Sequence, residues 1–357
     1  MAQLSPLAQL SSFGPEATNI NYIYVCIYII NMSLKVLITG GTGLVGSAIN
    51  SIKEDYNGYT FMFMSSKNCD LTDYNASFNY FTNIEPDYVI HLAACVGGLF
   101  KNMNNKIDMF EKNMLINMNV LKICHIIKVK KLISCLSTCI FPDNTTYPIN
   151  EKMLHDGPPH TSNDGYAYAK RMLEVQTCIY QEQFNDNFIC IIPTNIYGPN
   201  DNYNLIDGHV IPSLIHKCYL AKKEGKPFVI AGTGQPLRQF VYSIDLAHLI
   251  IWVLEKYNNK ESIILSVGED SEVSISTIAT EIAKQFSYTH NVSFDNSKPD
   301  GQYKKTADNT ILMSLNSDFK FTSISDGIKK SVEWFIENYD PPTPTLLFPR
   351  SVSNVRM

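Results

Sequence analysis

The chain has 357 residues, of which 45% are hydrophobic and 18% charged, and its formal net charge is −5. A chain of this length can bury a large core and form two packed lobes. The acidic balance excludes a global basic field for nucleic acid or an anionic membrane, so an anionic ligand needs local cations. The nine cysteines form no Cys-x-x-Cys pair, which indicates free thiols in a reducing, cytoplasmic compartment.

Residues 1–31 differ from the rest of the chain. Their apolar run, residues 22–30, is too short to span a bilayer, and no lysine or arginine precedes it as in a signal peptide. We therefore expect an N-terminal extension outside the fold, with Met32 as the natural start and no membrane anchor. The proline-rich residues 341–357 are expected to form a disordered tail.

The first predicted unit is a strand, a glycine turn and a helix. The apolar residues 35–38 precede Thr-Gly-Gly-Thr-Gly-Leu-Val-Gly at residues 39–46. Glycines spaced in this way permit a tight turn, the approach of a pyrophosphate and close packing of helix on strand. The helix directs free N–H groups at the pyrophosphate. The spacing favours a Rossmann domain of the short-chain dehydrogenase/reductase type. The predicted cofactor residues are Gly40, Gly41, Thr42, Gly43, Leu44, Val45 and Gly46.

The second predicted strand, residues 59–64, indicates which dinucleotide binds. NAD-specific sites usually carry an acid about 20 residues after the glycines, which holds the ribose 2′-hydroxyl. Here the strand is followed by two serines and a lysine, and hydroxyls with a cation suit a 2′-phosphate. We therefore expect NADP, with its adenine near the next acidic turn. The predicted residues are Ser66, Lys67, Asp70 and Leu71.

Strands and helices then alternate, which predicts an α/β fold with a doubly wound parallel sheet. The predicted NADP-binding Rossmann domain covers residues 32–198, and the smaller C-terminal substrate-binding lobe is mainly 199–340. Residues 239–262 are expected to return to the first domain. Ligands in such sheets bind beyond the carboxyl ends of the strands. The further predicted strands are 87–94, 131–136 and 188–192, and the predicted helices are 113–127, 166–184 and 325–338.

Three polar groups follow predicted strand ends or share a helix face. Ser137 follows the strand 131–136, and Tyr166 and Lys170 are four residues apart on a predicted helix. A phenol has a pKa near 10, and a neighbouring ammonium lowers it, so the tyrosine can exchange a proton near neutral pH. Tyr219 and Lys223 have the same spacing but follow no serine strand end, so we treat them as a coincidence.

A thiol and an imidazole extend this chemistry beyond hydride transfer. Cys139 lies two residues after Ser137, and His209 lies in the segment Asp-Gly-His-Val-Ile-Pro. Facing a keto sugar, they can move protons on and off the carbons beside the carbonyl. A buried structural thiol and a packed histidine are the simpler interpretations of each residue taken alone. No spacing of histidines, cysteines and carboxylates is typical of a metal site.

Taken together, these motifs resemble the GDP-L-fucose synthases, which are NADPH-dependent epimerase–reductases of the extended short-chain dehydrogenase/reductase family. The resemblance covers about residues 35–339. Its most specific stretches are Ser-Thr-Cys-Ile-Phe-Pro at 137–142 and Gly-His-Val-Ile-Pro at 208–212. The family usually has a tryptophan where this chain has Ala231, which affects one substrate contact.

The resemblance implies a role for each matching residue. Tyr166 is the proton donor and acceptor, Lys170 binds the nicotinamide ribose and Ser137 contacts the carbonyl. Cys139 and His209 are the base and acid of the C3 and C5 epimerisation. It also implies a GDP-sugar substrate and a homodimer formed through paired helices. The implied cofactor residues are Leu92, Ala93, Lys170, Pro193, Thr194, Asn195, Ile196 and His209, and the implied substrate residues are Lys217, Arg238 and Asp300.

Two alternatives remain open at this point. An NAD-dependent nucleotide-sugar 4-epimerase, or another enzyme of the extended type, needs Ser137, Tyr166 and Lys170 but neither Cys139 nor His209. A catalytically inactive NADP-binding relative is the second alternative, and the intact Ser–Tyr–Lys set argues against it.

Overall fold

The structure is a computed structural model that describes residues 33–300 and 302–339, so residues 1–31 and 341–357 lie outside it. Its strands are β1 (Leu34–Thr39), β2 (Tyr59–Met64), β3 (Tyr88–His91), β4 (Lys131–Cys135), β5 (Phe188–Pro193), β6 (Asn195–Tyr197), β7 (Phe228–Ala231), β8 (Leu237–Arg238), β9 (Phe240–Tyr242), β10 (Ile263–Leu265), β11 (Val273–Ser274) and β12 (Val292–Asp295). Its helices are α1 (Leu44–Ile52), α2 (Tyr74–Ile84), α3 (Leu99–Asn104), α4 (Lys106–Ile126), α5 (Asp164–Phe184), α6 (Val210–Glu224), α7 (Ser243–Lys256), α8 (Ile275–Gln285), α9 (Thr310–Leu315) and α10 (Ile324–Tyr339).

Six parallel strands form the central sheet, in the order β10-β5-β4-β3-β1-β2. Strand β1 lies between β2 and β3, with Val36 opposite both Phe61 and Tyr88. The direction of winding reverses between β1 and β3, so the carboxyl ends of these two strands border the crevice where such sheets bind ligands. The predicted doubly wound parallel sheet is confirmed.

Helices cover both faces of this sheet. Val36 and Ile38 of β1 belong to a core that includes side chains of α1 and α7. Leu37, between them, belongs to a second core with side chains of α2, α4 and α5. Strands that are buried on both faces consist of continuous apolar runs rather than alternating ones, which is why the strands are visible in the sequence.

A smaller lobe follows β5. Helices α6, α8 and α10 pack around the strand pair β7–β12, and their shared core contains Ile215, Phe228, Ile282 and Phe335. The chain does not stay in this lobe, because α7 packs against α1 and β10 pairs with β5 at the edge of the central sheet. The returning segment therefore reaches Leu265, beyond the expected range of 239–262.

Two predicted boundaries differ from the structure. The helix expected at 113–127 begins at Lys106. Its first two turns are mostly exposed, so they lack the buried apolar pattern from which the rest of the helix was predicted. The strand expected at 87–94 ends at His91. The apolar residues after His91 leave the sheet and form part of the ligand-binding edge. The strand expected at 59–64 and the helix expected at 325–338 are present within one residue of each end.

Candidate active site

The glycine turn lies at the carboxyl end of β1 and is closely packed. Gly40 has φ +68°, and a Cβ added there would lie 2.8 Å from the backbone nitrogen of Ala93. A Cβ on Gly46 would lie 2.6 Å from Cα of Gly41, so α1 packs directly on the turn. A Cβ on Gly43 would contact only one carbonyl oxygen, at 3.3 Å. Gly40 and Gly46 therefore serve the fold, whereas Gly43 faces space that a ligand can occupy.

The N-terminus of α1 fits a pyrophosphate. Gly43 is its N-cap residue and offers no side-chain cap, and the first turn contains no acidic residue. The first N–H groups of a helix lack intrahelical partners and carry a partial positive charge. The turn residues Gly41 and Thr42 and the helix residues Leu44 and Val45 surround this end, so the expected pyrophosphate position meets backbone donors and no opposing charge.

The turn after β2 presents the groups expected at a 2′-phosphate. The side chain and N–H of Ser65 both donate to Oδ1 of Asn68, at 2.7 and 2.8 Å, which closes the turn. Ser66 and Lys67 are exposed at its tip. Ser65 is therefore already hydrogen-bonded within the turn, and Ser66 and Lys67 are the groups that can meet a phosphate.

The adenine side of the crevice is formed by the loop after this turn. Oδ1 of Asp70 accepts hydrogen bonds from the backbone and hydroxyl of Thr72, which lower the pKa of Asp70. Leu71 is buried, and its carbonyl accepts a hydrogen bond of 2.8 Å from Asn119 of α4. Asp70 therefore orders the loop while Leu71 anchors it.

A buried hydrogen-bond chain connects the ends of β1 and β3 to α5. The N–H of Ala93 donates to Oγ1 of Thr39 at 3.2 Å, and Thr39 Oγ1 lies 2.8 Å from Nδ1 of His91. His91 Nε2 lies 3.1 Å from Oδ1 of Asn117, whose amide donates to the carbonyl of Ala169 at 3.4 Å. Leu92 and Ala93, two expected cofactor residues, are thereby fixed beside Gly40.

The end of β4 and the start of α5 bring the catalytic candidates together. Ser137 begins a short 3₁₀ turn that contains Cys139, and the N–H of Cys139 donates to Oγ of Ser137 at 3.4 Å. Lys170 is buried and donates to the carbonyl of Cys135 at 2.7 Å. Its ammonium lies 5.9 Å from the centre of the Tyr166 ring.

The protonation of Tyr166 is controlled by burial. Burial raises the pKa of the phenol well above its ordinary value, and negative charge on Cys139 would raise it further. Burial outweighs the expected lowering of this pKa by Lys170, whose ammonium is directed to the carbonyl of Cys135. Tyr166 is therefore held in its protonated form, as a proton donor must be. Burial also lowers the pKa of Lys170.

The end of β5 supplies the next side of the site. Pro193 ends the strand, and Thr194 is buried with its hydroxyl 3.1 Å from that of Ser266. The amide of Asn195 donates to the carbonyl of Gln239 at 2.9 Å. Together with Ile196 in β6, these residues lie at the carboxyl end of β5, the neighbour of the strand that Ser137 follows. The resemblance places the nicotinamide there.

His209 is the N-cap residue of α6, in the opposite lobe, and its side chain is exposed and makes no capping hydrogen bond. In the loop before it, Gly208 lies against the backbone of residues 202 and 204. This loop contains Asp201, which no sequence motif identified as a candidate site residue. Asp201 accepts a 2.7 Å hydrogen bond from Asn202, and its other carboxyl oxygen is buried without a partner among the described residues. Burial raises the pKa of Asp201 to about 6, against the opposing effect of His209.

A cavity of about 510 Å³ lies between α6, β7 and β8. Lys217, Arg238 and Asp300, the three expected substrate residues, all line it, and Ala231 lines it as well. Asp300 also has a local role, because its carboxylate accepts hydrogen bonds from the N–H and hydroxyl of Thr233 at 2.9 and 2.6 Å. Lys217 and Arg238 are therefore the groups best placed for a negatively charged ligand.

The described residues, 33–300 and 302–339, contain no cluster of three or more histidines, cysteines and carboxylates that could hold a metal ion. None of their helices has the length and hydropathy needed to cross a membrane. The eight cysteines in this part of the chain are all free thiols.

Comparison with known proteins decides the family. Residues 36–268 match the NAD dependent epimerase/dehydratase family. The GDP-L-fucose synthase of Dictyostelium discoideum is 54% identical over 307 residues, which is 85% of this chain and 96% of that protein. The chain belongs to the GDP-L-fucose synthase family. A probable GDP-L-fucose synthase of Drosophila melanogaster is 49% identical, over 86% of this chain and 98% of the relative.

A solved member of the GDP-L-fucose synthase family has the same fold. The crystal structure of a GDP-L-fucose synthetase from Naegleria fowleri bound to NADP has a TM-score of 0.83 and 47% sequence identity. The comparison covers 87% of this chain and 94% of that one. The Rossmann domain and the smaller lobe therefore correspond to those of an NADP-binding relative.

Proposed function

We propose that this chain converts GDP-4-keto-6-deoxy-D-mannose to GDP-L-fucose with NADPH, by epimerisation at C3 and C5 and reduction at C4. The observation that carries the proposal is that Cys139 shares one short turn with Ser137, beside Tyr166 and Lys170. A reductase or 4-epimerase needs the serine, tyrosine and lysine alone. The thiol adds a group that can remove protons next to a carbonyl.

The cofactor supplies a hydride to C4 of the sugar. The backbone of the turn at Gly40–Gly46 and the N-terminus of α1 would hold its pyrophosphate. Ser66 and Lys67 would meet the 2′-phosphate, and the segment after β5 would line the nicotinamide. The net charge of the chain is −5, so an anionic cofactor needs a local positive charge, and exposed Lys67 provides one.

Epimerisation depends on the acidity of carbons beside a ketone. When a base removes the proton from C3 or C5, the electron pair moves onto the C4 oxygen and forms an enolate. Ser137 and Tyr166 can hold that oxygen by hydrogen bonds. Cys139 and His209, which come from different lobes, are the base and the acid, so a proton removed from one face can be replaced on the other.

Reduction uses the same carbonyl. As hydride reaches C4, the oxygen becomes an alkoxide and needs a proton. Burial keeps Tyr166 protonated, so its phenol can donate that proton, and Ser137 keeps the oxygen in place. Lys170 lies beside Tyr166 and holds the nicotinamide ribose in this mechanism. One carbonyl therefore serves both epimerisation and hydride transfer.

The cavity of about 510 Å³ is proposed to bind the GDP portion. Arg238 is partly buried at one side and Lys217 is exposed at another. Two cations can bind a diphosphate through charge-assisted hydrogen bonds. Ala231 leaves open space in place of the usual tryptophan ring, so this chain lacks one aromatic contact with the substrate.

A second copy of the chain is proposed to cover α4 and α5. These helices pack against each other and expose large apolar side chains on one surface. The exposed residues are Ile107, Leu115, Met118, Ile126, Tyr168, Met172, Ile179 and Phe184. An apolar surface of this kind is typical of a protein–protein contact, and its location agrees with the paired helices of the family.

We also propose a cytoplasmic location, which the eight free thiols of the described residues support.

The proposed function is tested with purified protein, NADPH and the keto sugar. We expect stoichiometric loss of NADPH absorbance and a product that NMR identifies as GDP-L-fucose. In D₂O, before reduction, deuterium should enter at C3 and C5, and Cys139→Ser and His209→Ala should slow this entry. Reduction without inversion at C3 and C5 would instead support a simple reductase, and turnover with bound NAD alone would support a 4-epimerase.

A further inference from the structure

Lys305 has a fixed position next to the epimerisation site, although no motif marks it. The segment around it is held on both sides. The carbonyl of Tyr303 accepts a 2.8 Å hydrogen bond from Leu237, and the carbonyl of Thr306 accepts one of 2.8 Å from Ile149. The N–H of Ala307 donates to the buried side chain of Gln239 at 2.7 Å. The backbone at Lys305 is therefore set by three separate parts of the fold.

The Lys305 side chain lines a small cavity together with Cys139. Among the described residues its ammonium has no hydrogen-bond or ion-pair partner. Its neighbour Lys304 differs, because it pairs with Glu269 at 3.0 Å and Glu272 at 3.7 Å. Lys305 is half-buried, so its unpaired ammonium stays available to a negatively charged group in this cavity.

Electrostatic interactions connect Lys305 to Cys139. Burial and the charge of Arg238 lower the pKa of Lys305, and a thiolate at Cys139 acts in the opposite direction. Lys305 and Cys139 therefore lie within electrostatic reach of each other. Asp143 also raises the pKa of Lys305, and His160 lines the same cavity.

Two other cations lie near Cys139. Lys170 donates to the carbonyl of Cys135 at 2.7 Å, and Nε of Arg171 donates to the carbonyl of Ile140, while its Nη2 is buried without a partner among the described residues. Lys170 and Arg171 both belong to α5. Tyr166 belongs to the same helix, but its protonated phenol adds no charge. Lys305 approaches from the other lobe and keeps its hydrogen-bonding capacity.

We propose that Lys305 is a positioning residue for epimerisation, and that its ammonium holds Cys139 as the thiolate. The proposal rests on the proposed function for the identity of the substrate. In the step that it assists, the thiolate sulfur takes the proton from C3 or C5, the C–H bond breaks and an S–H bond forms. The electron pair of the C–H bond moves onto the C4 oxygen. His209 returns a proton to the carbon, and exchange with water restores both groups.

Thiol alkylation tests this charge role without any substrate. Iodoacetamide reacts with the thiolate, forming an S–C bond and releasing iodide, so its rate follows the thiolate fraction. The rate at Cys139 is measured by peptide mass mapping across pH 6 to 10 in the full chain, for wild type, Lys305→Met, Lys305→Arg and Lys304→Met. Removal of a stabilising positive charge moves such a titration by about one pH unit, so Lys305→Met should react about tenfold more slowly at pH 7.

The pattern across the variants decides the outcome. We expect an upward shift of the half-maximal pH in Lys305→Met, a profile close to wild type in Lys305→Arg, and no change in Lys304→Met. NADPH binding checks that each variant is folded. A wild-type profile in Lys305→Met would overturn the proposal, and so would equal shifts in the Lys304 and Lys305 variants, because they would indicate a general surface-charge effect.

Deuterium entry from D₂O into the keto sugar separates this proposal from the proposed function. Lys305→Met should slow entry at C3 and C5 about tenfold while reducing a pre-epimerised keto sugar at nearly the wild-type rate. If even wild type shows no deuterium entry, the proposed function fails, whereas the alkylation profiles still decide the role of Lys305.

Discussion

His91 should make the folded chain sensitive to acid. It is fully buried, and burial together with the charge of Lys170 lowers its pKa from 6.5 to about 3. Its hydrogen bonds fix a neutral ring, since Nε2 must donate to the amide oxygen of Asn117 while Nδ1 accepts from the hydroxyl of Thr39. An imidazolium has no acceptor nitrogen and would break this chain.

The direction of the pH effect follows from proton binding. Below pH 6.5 the unfolded chain binds a proton at His91, but the folded chain does not until about pH 3. Protons therefore favour unfolding as the pH falls, and the contribution of His91 is fully present only above pH 6.5. At 1.36 kcal/mol per pH unit, about 3 kcal/mol is lost between pH 6.5 and 4.5, and about 5 kcal/mol by pH 3.

Urea unfolding at pH 7.5 and 4.5 measures this loss. His91→Gln should be less stable than wild type at pH 7.5 by about 1–2 kcal/mol, because a buried hydrogen bond is disturbed. Its further loss at pH 4.5 should be about 3 kcal/mol smaller than that of wild type, because Gln does not titrate. His290→Gln, at an exposed histidine, is the matched control and should keep the wild-type difference. Equal losses in wild type and His91→Gln would refute the reasoning.

Three further predictions concern catalysis, the cofactor and assembly. Tyr166→Phe should reduce turnover roughly 10²–10⁴-fold with NADPH binding nearly unchanged, because one proton donor is removed; near wild-type rates would rule out its role. Lys67→Glu should raise the KM for NADPH about tenfold more than that for NADH, since only NADPH carries the 2′-phosphate; equal responses would assign the phosphate to other groups. Ile179→Glu, on the exposed surface of α5, should give monomers in sedimentation experiments, whereas a wild-type mass would exclude this surface as the dimer contact.

The residues that could be predicted from the sequence share one property. Ser137 and Pro193 each follow a predicted apolar strand, and a parallel sheet places such positions on one edge. The spacing of Tyr166 and Lys170 on a helix is equally local. Periodicity and chain order therefore give both the fold class and one side of the site.

The residues that were missed are positioned by long-range contacts. Asp201 lies in a loop without regular structure, and its relation to His209 depends on how that loop folds over Gly208. Lys304 and Lys305 are adjacent in the sequence, yet one forms ion pairs and the other faces Cys139. The contacts of this segment with Leu237, Gln239 and Ile149, all distant in the sequence, set the backbone at these two lysines.

The sheet order has a consequence for protein synthesis. Strand β10 pairs with β5, but it leaves the ribosome only after α6 and α7 have been made. Until then the nascent chain carries β5 with one unpaired backbone edge and an apolar sequence, which is a template for association between chains. The sheet of the first domain therefore cannot be completed before the first part of the second lobe has been translated. A chain that stops before residue 263 should need a chaperone to stay unaggregated, whereas the longer chain protects its own edge.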